Sequence, residues 1–387
     1  MENFEEKASL CALNRIFGFE PKIGLALMSH LGSASGIFSL SEDEVNSLLG
    51  PYSKYKGRIS RRSVDEAAEE LMHLSGIGVR FCGISEQDYP TLLKECEDPP
   101  IGLYIKSHTS LSELWQDNRI AVVGTRDISP YGKEWCSRIV RSFASTPVSP
   151  AIVSGLALGV DIEAHRTALD NGLPTIAVLP TGPDSIYPYR HRKYAEQISS
   201  VPGSALVTDY PPGTAPLAVH FLRRNRIIAG LSKATILIES KLKGGGMMTC
   251  RLAFSYNRDV YALPGRIDDI RSQGCNELIR QKIAEPIVSA AALAESLDLS
   301  SKQMPTRTDY SSLLERQYEG RISPEDIILI KDIASLIRKN RGITIEEISD
   351  SIGCCYARSA ELTGLLEIDG IIIRDLLQRC SINPKFM

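Results

Sequence analysis

The chain has 387 residues, of which 43% are hydrophobic and 24% charged, with a formal net charge of −3. That length calls for two or three domains, the composition is that of a globular protein, and the charge excludes a nucleic-acid binder that works through overall basicity, so any such function needs a local basic patch. No apolar run is long enough to span a bilayer, Met1–Lys7 lacks signal-peptide grammar, and nine scattered cysteines without a Cys-x-x-Cys pair make neither a disulfide framework nor a zinc site, which together fit a reduced cytoplasm.

Residues 1–72 read as short helices, with Leu13, Ile16, Ile23, Leu25 and Leu27 arranged around a Gly18–Gly24 turn. Paired short helices fit either a helix-hairpin-helix module gripping a DNA backbone or a small helical bundle. Sparse basic residues favour the bundle.

From about residue 76 the grammar changes. Val79–Ile84 is strand-like and a turn-rich segment follows it. Then apolar strands alternate with helices: Ile120–Val123, Ala151–Val153, Thr175–Leu179, Ala205–Val207, Ala234–Ile238 and Val260–Leu263 are the strands. This order predicts an α/β fold, a Rossmann-like doubly wound parallel sheet covered on both faces, over residues 73–299.

Residues 300–322 are polar and read as a linker. Beyond them, 323–387 carry three helical patterns and a candidate β-wing at Ile371–Leu377, the order of a winged helix. The middle helix opens on the capping box Thr344-Ile-Glu-Glu347. Residues 320–387 hold nine Lys plus Arg against ten Asp plus Glu, a charge of −1. A DNA-reading winged helix should be basic, so this tail reads as a protein-contact or structural module.

In an open parallel sheet, ligands bind beyond the carboxyl ends of the strands. Gly-containing loops fall there: Val123-Gly124-Thr125-Arg126, Ser154-Gly155-Leu-Ala-Leu-Gly159, Thr181-Gly182-Pro183 and Lys243-Gly-Gly-Gly246. Glycine lets a ligand approach backbone N–H groups, and a helix amino end adds partial positive charge. Arg223, Arg224 and Arg226 stand at the start of the apolar-periodic stretch Phe221–Ser232, in the first turns of a predicted helix. A cation at a helix amino end costs roughly 0.3–1 kcal/mol. The broken rule points to an anion site, and together with the glycine loops to a phosphate pocket.

Neither Gly-x-Gly-x-x-Gly at a strand end nor a P-loop motif occurs, which disfavours a dehydrogenase or P-loop enzyme. Asp161 and His165 share a helical face and could act as an acid/base pair, but no nucleophile or metal spacing accompanies them, so a structural contact is favoured. Asp209 reads either as catalytic or as the partner of an arginine. Arg190, His191, Arg192 and Lys193 form a basic run interleaved with Tyr187, Tyr189 and Tyr194, which suits a single strand, where stacking gives about 1–3 kcal/mol per base.

Taken in order, Val123-Gly-Thr-Arg126, Ser154-Gly-Leu-Ala157, Gly159-Val-Asp161, Ala164-His165, Tyr187-Pro188, Arg224-Asn-Arg-Ile-Ile-Ala-Gly-Leu-Ser232, Ala262-Leu-Pro-Gly265 and Gly274-Cys-Asn-Glu-Leu-Ile279 resemble successive blocks of the DNA-processing protein A family, DprA or Smf. The resemblance implies a non-catalytic protein that binds single-stranded DNA, protects incoming DNA and loads a RecA-type recombinase during natural transformation. It further implies a homodimer formed near residues 274–284, and no metal or nucleotide cofactor. It makes the front a SAM or helix-hairpin-helix-like domain and the tail a winged helix. The family's pocket maps onto Gly124, Thr125 and Arg126, and onto Arg223, Arg224, Asn225 and Arg226, with Ser154, Gly155, Gly245 and Thr249 lining it. Leu158 stands where the family usually has arginine, Leu222 where it has proline, and His191 where it has asparagine. The missing cation at Leu158 predicts a larger share of binding for the three arginines. The alternative is a phosphoribohydrolase-like enzyme on the same fold, which would need glutamates beside its Gly-rich loop; Lys243-Gly-Gly-Gly-Met-Met-Thr-Cys250 has none.

Overall fold

The computed structural model describes residues 2–50, 52–115, 118–299, 310–340, 342–375 and 378–383. The chain forms two compact units, Met1–Lys302 and Gln303–Met387.

The first unit opens with five helices: α1 (Glu2–Phe17), α2 (Pro21–Leu31), α3 (Ala34–Phe38), α4 (Glu42–Leu49) and α5 (Arg61–Gly76). Strands and helices then alternate. They run β1 (Val79–Gly83), α6 (Thr91–Lys94), β2 (Gly102–Lys106), α7 (Leu111–Leu114), β3 (Arg119–Val123), α8 (Pro130–Phe143), β4 (Ala151–Ser154), α9 (Val160–Asp170) and β5 (Thr175–Val178). After these come α10 (Arg192–Ser200), β6 (Ala205–Thr208), α11 (Ala218–Leu231), β7 (Ala234–Leu237), α12 (Gly245–Ser255), β8 (Asp259–Ala262), α13 (Gln273–Arg280), β9 (Glu285–Pro286) and α14 (Ala290–Ser296).

Among the described residues, nine strands join in the order β1-β2-β6-β5-β4-β3-β7-β8-β9. From β6 to β9 every pairing is parallel, while β1 and β2 are added antiparallel at one edge. The chain moves outward from β3 through β4, β5 and β6, then returns to lay β7 on the other side of β3. The direction of winding reverses between β3 and β7, where a parallel sheet opens a crevice at its carboxyl edge. The strands that flank it, Arg119–Val123 and Ala234–Leu237, are buried along their whole length, as apolar strands covered on both faces must be.

One face of the sheet packs on the five amino-terminal helices together with α11 and α12; Leu10, Leu13, Phe17 and Leu74 share a single core with Val123, Val153, Ile176 and Ile227. The other face packs on α8, α9 and α14 through Ile120, Ile139, Phe143, Ile152 and Leu293. The helical front is therefore one of the layers that bury the sheet.

The second unit contains α15 (Tyr310–Tyr318), α16 (Pro324–Lys339), β10 (Ile343–Thr344), α17 (Ile345–Ile352), α18 (Tyr356–Ile368), β11 (Ile372–Arg374) and β12 (Arg379–Ile382). The strands form an antiparallel sheet in the order β10-β12-β11. The capping box at Thr344 and Glu347 forms as predicted. Within the stretch assigned to a linker, 300–309 lie outside the described residues and Tyr310–Tyr318 is helical. Polar composition concealed that helix; among the described side chains, Leu314 and Tyr318, one turn apart, anchor it in the core of this unit.

Candidate nucleic-acid interface

The loop after β3 is the centre of the carboxyl edge. Its backbone is tied to β7 by the Thr125 N–H, which donates to the Glu239 carbonyl at 2.7 Å, and to α9 by the Val160 N–H, which donates to the Thr125 carbonyl at 3.1 Å. Glycine is obligatory on both sides of it. A Cβ on Gly124 would lie 2.6 Å from Val160 Cγ2, and one on Gly159, whose φ is +77°, would lie 2.2 Å from the Thr125 oxygen. The start of α12 closes in from the other side, where a Cβ on Gly246 would lie 3.1 Å from Gly124 Cα. Two helix starts, those of α9 and α12, thus flank one loop. Both are preceded by glycine, Gly159 and Gly244, and neither has a capping side chain. The α9 start is already answered by Asp161 and Glu163 in its first turn and by the Val160 N–H bond to Thr125, whereas the first turn of α12 holds no acid, so partial positive charge from α12 is directed at this edge.

Arg126 leaves this loop exposed to solvent, and among the described residues it has no carboxylate partner. Its guanidinium lies 4.7 Å from the centre of the Phe221 ring. Phe221 in turn meets Tyr187 edge to face at 5.4 Å, and Tyr187 is 42% exposed. Cation, ring and ring form a continuous shelf drawn from three loops and helices far apart in sequence. Lys241 and Lys243, both exposed, stand on the loop that leads into α12. Phe221 and the two lysines were not singled out as binding residues from sequence. The interleaved tyrosines were the one signal that anticipated an aromatic surface.

The arginine triplet behaves otherwise. Helix α11 begins at Ala218, so Arg223, Arg224 and Arg226 are its sixth, seventh and ninth residues and not its amino end. An anion site built on the helix dipole is excluded for them, because that effect is confined to the first turn. Arg223 donates to the carbonyls of Phe19, at 2.6 Å, and Gly18, and stacks on the Phe19 ring at 4.6 Å. It caps the carboxyl end of α1. Arg226 pairs with Asp209 at 2.6 Å, with both side chains buried, and also donates to the Asp98 carbonyl. Burial alone pulls Arg226 down, but Asp209 and Asp98 outweigh it and its pKa is raised. Of the two readings of Asp209, arginine partner is the one realised. Arg223 and Arg226 therefore do not line the pocket to which the resemblance assigned them.

Arg224 is the triplet member that faces the glycine loops, yet it is only 3% exposed. It donates to the Val178 carbonyl and occupies the space that a side chain on Gly155 would take, 2.0 Å from Nη1 to an ideal Cβ. Burial lowers its pKa to about 10; Arg126 acts in the same direction and Asp161 against it, and Arg224 remains charged at neutral pH. Asp161 accepts the N–H groups of Gly155, at 3.1 Å, and Ala157, at 3.4 Å, which fixes the loop after β4. Its pKa is raised by burial, against the pull of Arg224 and these amides. His191 bonds the Leu156 carbonyl at 2.8 Å from the far side. Asn225 reaches the Gly245 carbonyl at 3.5 Å, and the Thr249 hydroxyl donates to the same oxygen at 3.2 Å, so both hold the start of α12. Ser154 is fully buried and donates to the Val122 carbonyl at 2.6 Å; it is a tie between strands.

The acid/base candidates are also accounted for. His165 meets the Thr175 hydroxyl at 2.7 Å, and burial, with the charges of Arg224 and His191, takes its pKa to about 3. It is neutral across the physiological range and unable to trade protons there. Glu239, whose backbone carbonyl holds the β3 loop, accepts with its carboxylate the N–H of Ser129 at 2.9 Å and its hydroxyl at the start of α8. Two surface cavities, one of about 530 Å³ along α8 and one of about 310 Å³ at the start of α5, lie away from the shelf.

Residues 80–298, more than half of the chain, match the family described as DNA recombination-mediator protein A. The chain belongs to that family. It is 39% identical over 211 residues to DNA processing protein DprA of Streptococcus pneumoniae, a stretch that covers 54% of this chain and 72% of that protein. It is 38% identical over 219 residues to Protein Smf of Synechocystis sp., covering 56% of this chain but 54% of the relative, so it spans only about half the length of some family members. The fold superposes on the crystal structure of the pneumococcal protein with a TM-score of 0.58 at 30% identity, covering 76% of this chain and 96% of the other. It superposes on DNA processing protein A of Helicobacter pylori, a structure described for that protein's single-stranded DNA binding mode, with a TM-score of 0.50 at 31% identity, covering 56% and 95%. Membership of the family and a mixed α/β fold built on a large parallel sheet thus agree with the sequence reading. Among the described residues no helix is long and apolar enough to cross a membrane.

Proposed function

We propose that this protein binds single-stranded DNA on the shelf at the carboxyl edge of its sheet. The observation that carries the reading is the exposed Arg126 guanidinium stacked on Phe221 with Tyr187 edge-on beside it. A cation over an aromatic ring offers a phosphate contact and a base-stacking platform within one nucleotide's reach, without reading base identity. The acid-free start of α12, where Gly245 leaves the backbone open, and the lysines at 241 and 243 extend the positive surface, and the crowded loop at Gly124 and Thr125 holds Arg126 in place. Arg224 contributes charge from beneath. The binding is non-catalytic and needs no metal or nucleotide.

Binding on the shelf serves the protection of DNA and the loading of a RecA-type recombinase in the cytoplasm, with the protein acting as a homodimer formed near 274–284. Exposed Ile267 and Ile270, on the approach to α13, support self-association there. In the same proposal the helical front is SAM-like and the second unit, three helices followed by a small antiparallel sheet, is a winged helix serving protein contacts.

The test is fluorescence anisotropy with labelled oligo-dT across a salt series, with and without a RecA-type partner. Arg126→Ala and Phe221→Ala should each weaken binding to every sequence alike, and Arg126→Ala should lower the salt slope by about 0.7. Unchanged affinity and slope in both variants would dismiss the shelf.

A further inference from the structure

Five cations occur in nine residues from the α4–α5 loop into the first turn of α5: Lys54, Lys56, Arg58, Arg61 and Arg62, with no acid from Gly50 to Val64. The expectation that basic residues are sparse in the helical front holds outside this segment, where Lys7, Arg15 and Lys22 are the other cations of residues 1–72, and fails within it. It is also where a helix does begin with the wrong charge. Helix α5 starts at Arg61-Arg62, its first turn contains no acid, and Ser60 makes no capping bond to it.

Part of this charge serves the fold. Lys54 pairs with Glu20 at 2.7 Å, Arg62 with Glu66 at 2.9 Å, and Arg61 with Glu5 and Asp65. Lys56 and Arg58 have no carboxylate partner among the described residues; Arg58 donates instead to the Arg15 carbonyl at 3.2 Å. Between the end of α1 and the start of α5 lies the 310 Å³ groove, lined by Arg15, Arg58, Arg62, Ser60 and Ser63, with Glu66 in its wall. Tyr52, next to the basic run, is 99% exposed. Guanidinium groups, hydroxyls, an uncapped helix start and an open aromatic ring are what a phosphodiester backbone and its bases require.

The groove is also connected to the shelf. Arg58 holds the carbonyl of Arg15, and Arg223 holds those of Gly18 and Phe19, so both grip the same end of α1 within about one helical turn. Arg223 is two residues from Phe221 on α11. The end of α1 thus meets both segments, and α1 and α11 share one core through Leu13, Phe17 and Ile227.

We propose that the groove between α1 and α5 is a second station for the backbone of the same single strand, engaged once the strand is long enough to extend beyond the shelf. This rests on the reading of the shelf as a single-strand site. An acidic protein segment would satisfy the arginines but would leave Tyr52 without a role, so nucleic acid is favoured.

The deciding experiment titrates the full chain with labelled dT6 and dT30 over a salt series. The double variant Lys56→Glu/Arg62→Glu should leave dT6 affinity unchanged, weaken dT30 about tenfold, and reduce the dT30 salt slope by about 1.4, that is about 0.7 for each phosphate no longer neutralised. Arg126→Ala should weaken both oligonucleotides. If the double variant binds dT30 as tightly and as salt-dependently as the wild type, the groove is no DNA site and the shelf reading survives. If the wild type binds neither oligonucleotide, the shelf reading falls and this proposal with it. Arg58→Ala, at an exposed groove residue with no carboxylate partner among the described residues, provides the same comparison should the double variant misfold; it should weaken dT30 two- to threefold.

Discussion

The β3 loop and helix α11 both deliver arginine to the carboxyl half of the sheet, with opposite outcomes. Arg126 leaves a tight loop into solvent and rests on Phe221 without a carboxylate partner among the described residues. Arg223 and Arg226 leave the middle of a buried helix and are consumed, one by the end of α1 and the other by Asp209. Arg224 lies between them, charged and buried, filling the space above Gly155. Within the triplet, the contacts each arginine makes follow from the face of the helix on which it falls. Arg223 and Arg226, at i and i+3, share a face, while Arg224, at i+1, is turned about 100° away toward the glycine loops.

If that division is right, substitutions on α11 should cost stability and those on the β3 loop should cost binding. Both tryptophans, Trp115 and Trp135, lie in the first unit, so their fluorescence follows its unfolding. The largest effect is expected from Arg226→Met, which leaves Asp209 buried and unpaired and should cost about 3–5 kcal/mol in urea unfolding. Adding Asp209→Leu should restore much of it. A loss below about 1 kcal/mol for the single variant would mean the pair is not buried as described.

Protonation supplies the next contrast. His165 has a folded pKa of about 3 against an ordinary value of 6.5. The unfolded chain therefore binds the extra proton between those limits, and stability present above pH 6.5 is lost as pH falls toward 3. At about pH 5 the wild type should have lost about 2 kcal/mol from this group, and His165→Asn should abolish that part of the pH dependence. Identical pH slopes in the two proteins would remove the buried neutral histidine from the account.

Gly155→Ala places a methyl group against the Arg224 guanidinium and should destabilise by about 1–3 kcal/mol through overpacking. It should also weaken single-strand binding, because Arg224 and the loop after β4 must move together. Smallest in stability is Arg126→Ala, expected within about 0.5 kcal/mol of wild type, since it removes an exposed side chain. Its whole effect should appear in DNA affinity, and a substantial stability loss would erase the distinction between the two arginine classes.

Much of the fold was legible. Apolar strands alternating with helices announced the parallel sheet, and the capping box at Thr344 and Glu347 fixed the start of α17. The glycine loops marked the carboxyl edge, because backbone crowding at Gly124 and Gly159 excludes other residues. What failed was local. The helical period of Phe221–Ser232 was real, but the helix starts at Ala218, in residues without a capping signal, and this moved the arginines inward. The short helix at Tyr310–Tyr318 escaped because its segment reads as polar, although Leu314 and Tyr318 are buried in the core of the second unit.

The sequence by itself determined the parallel α/β sheet and the family, since burial on two faces and close backbone approach dictate residue type along the strands and their loops. It also determined that a positive, glycine-rich edge exists. Which cation of that edge is free was decided only by the tertiary structure. Ionic partners such as Asp209, helix ends such as Gly18 and rings such as Phe221 come from distant segments, and a charge is available to a ligand only when no such neighbour has already claimed it.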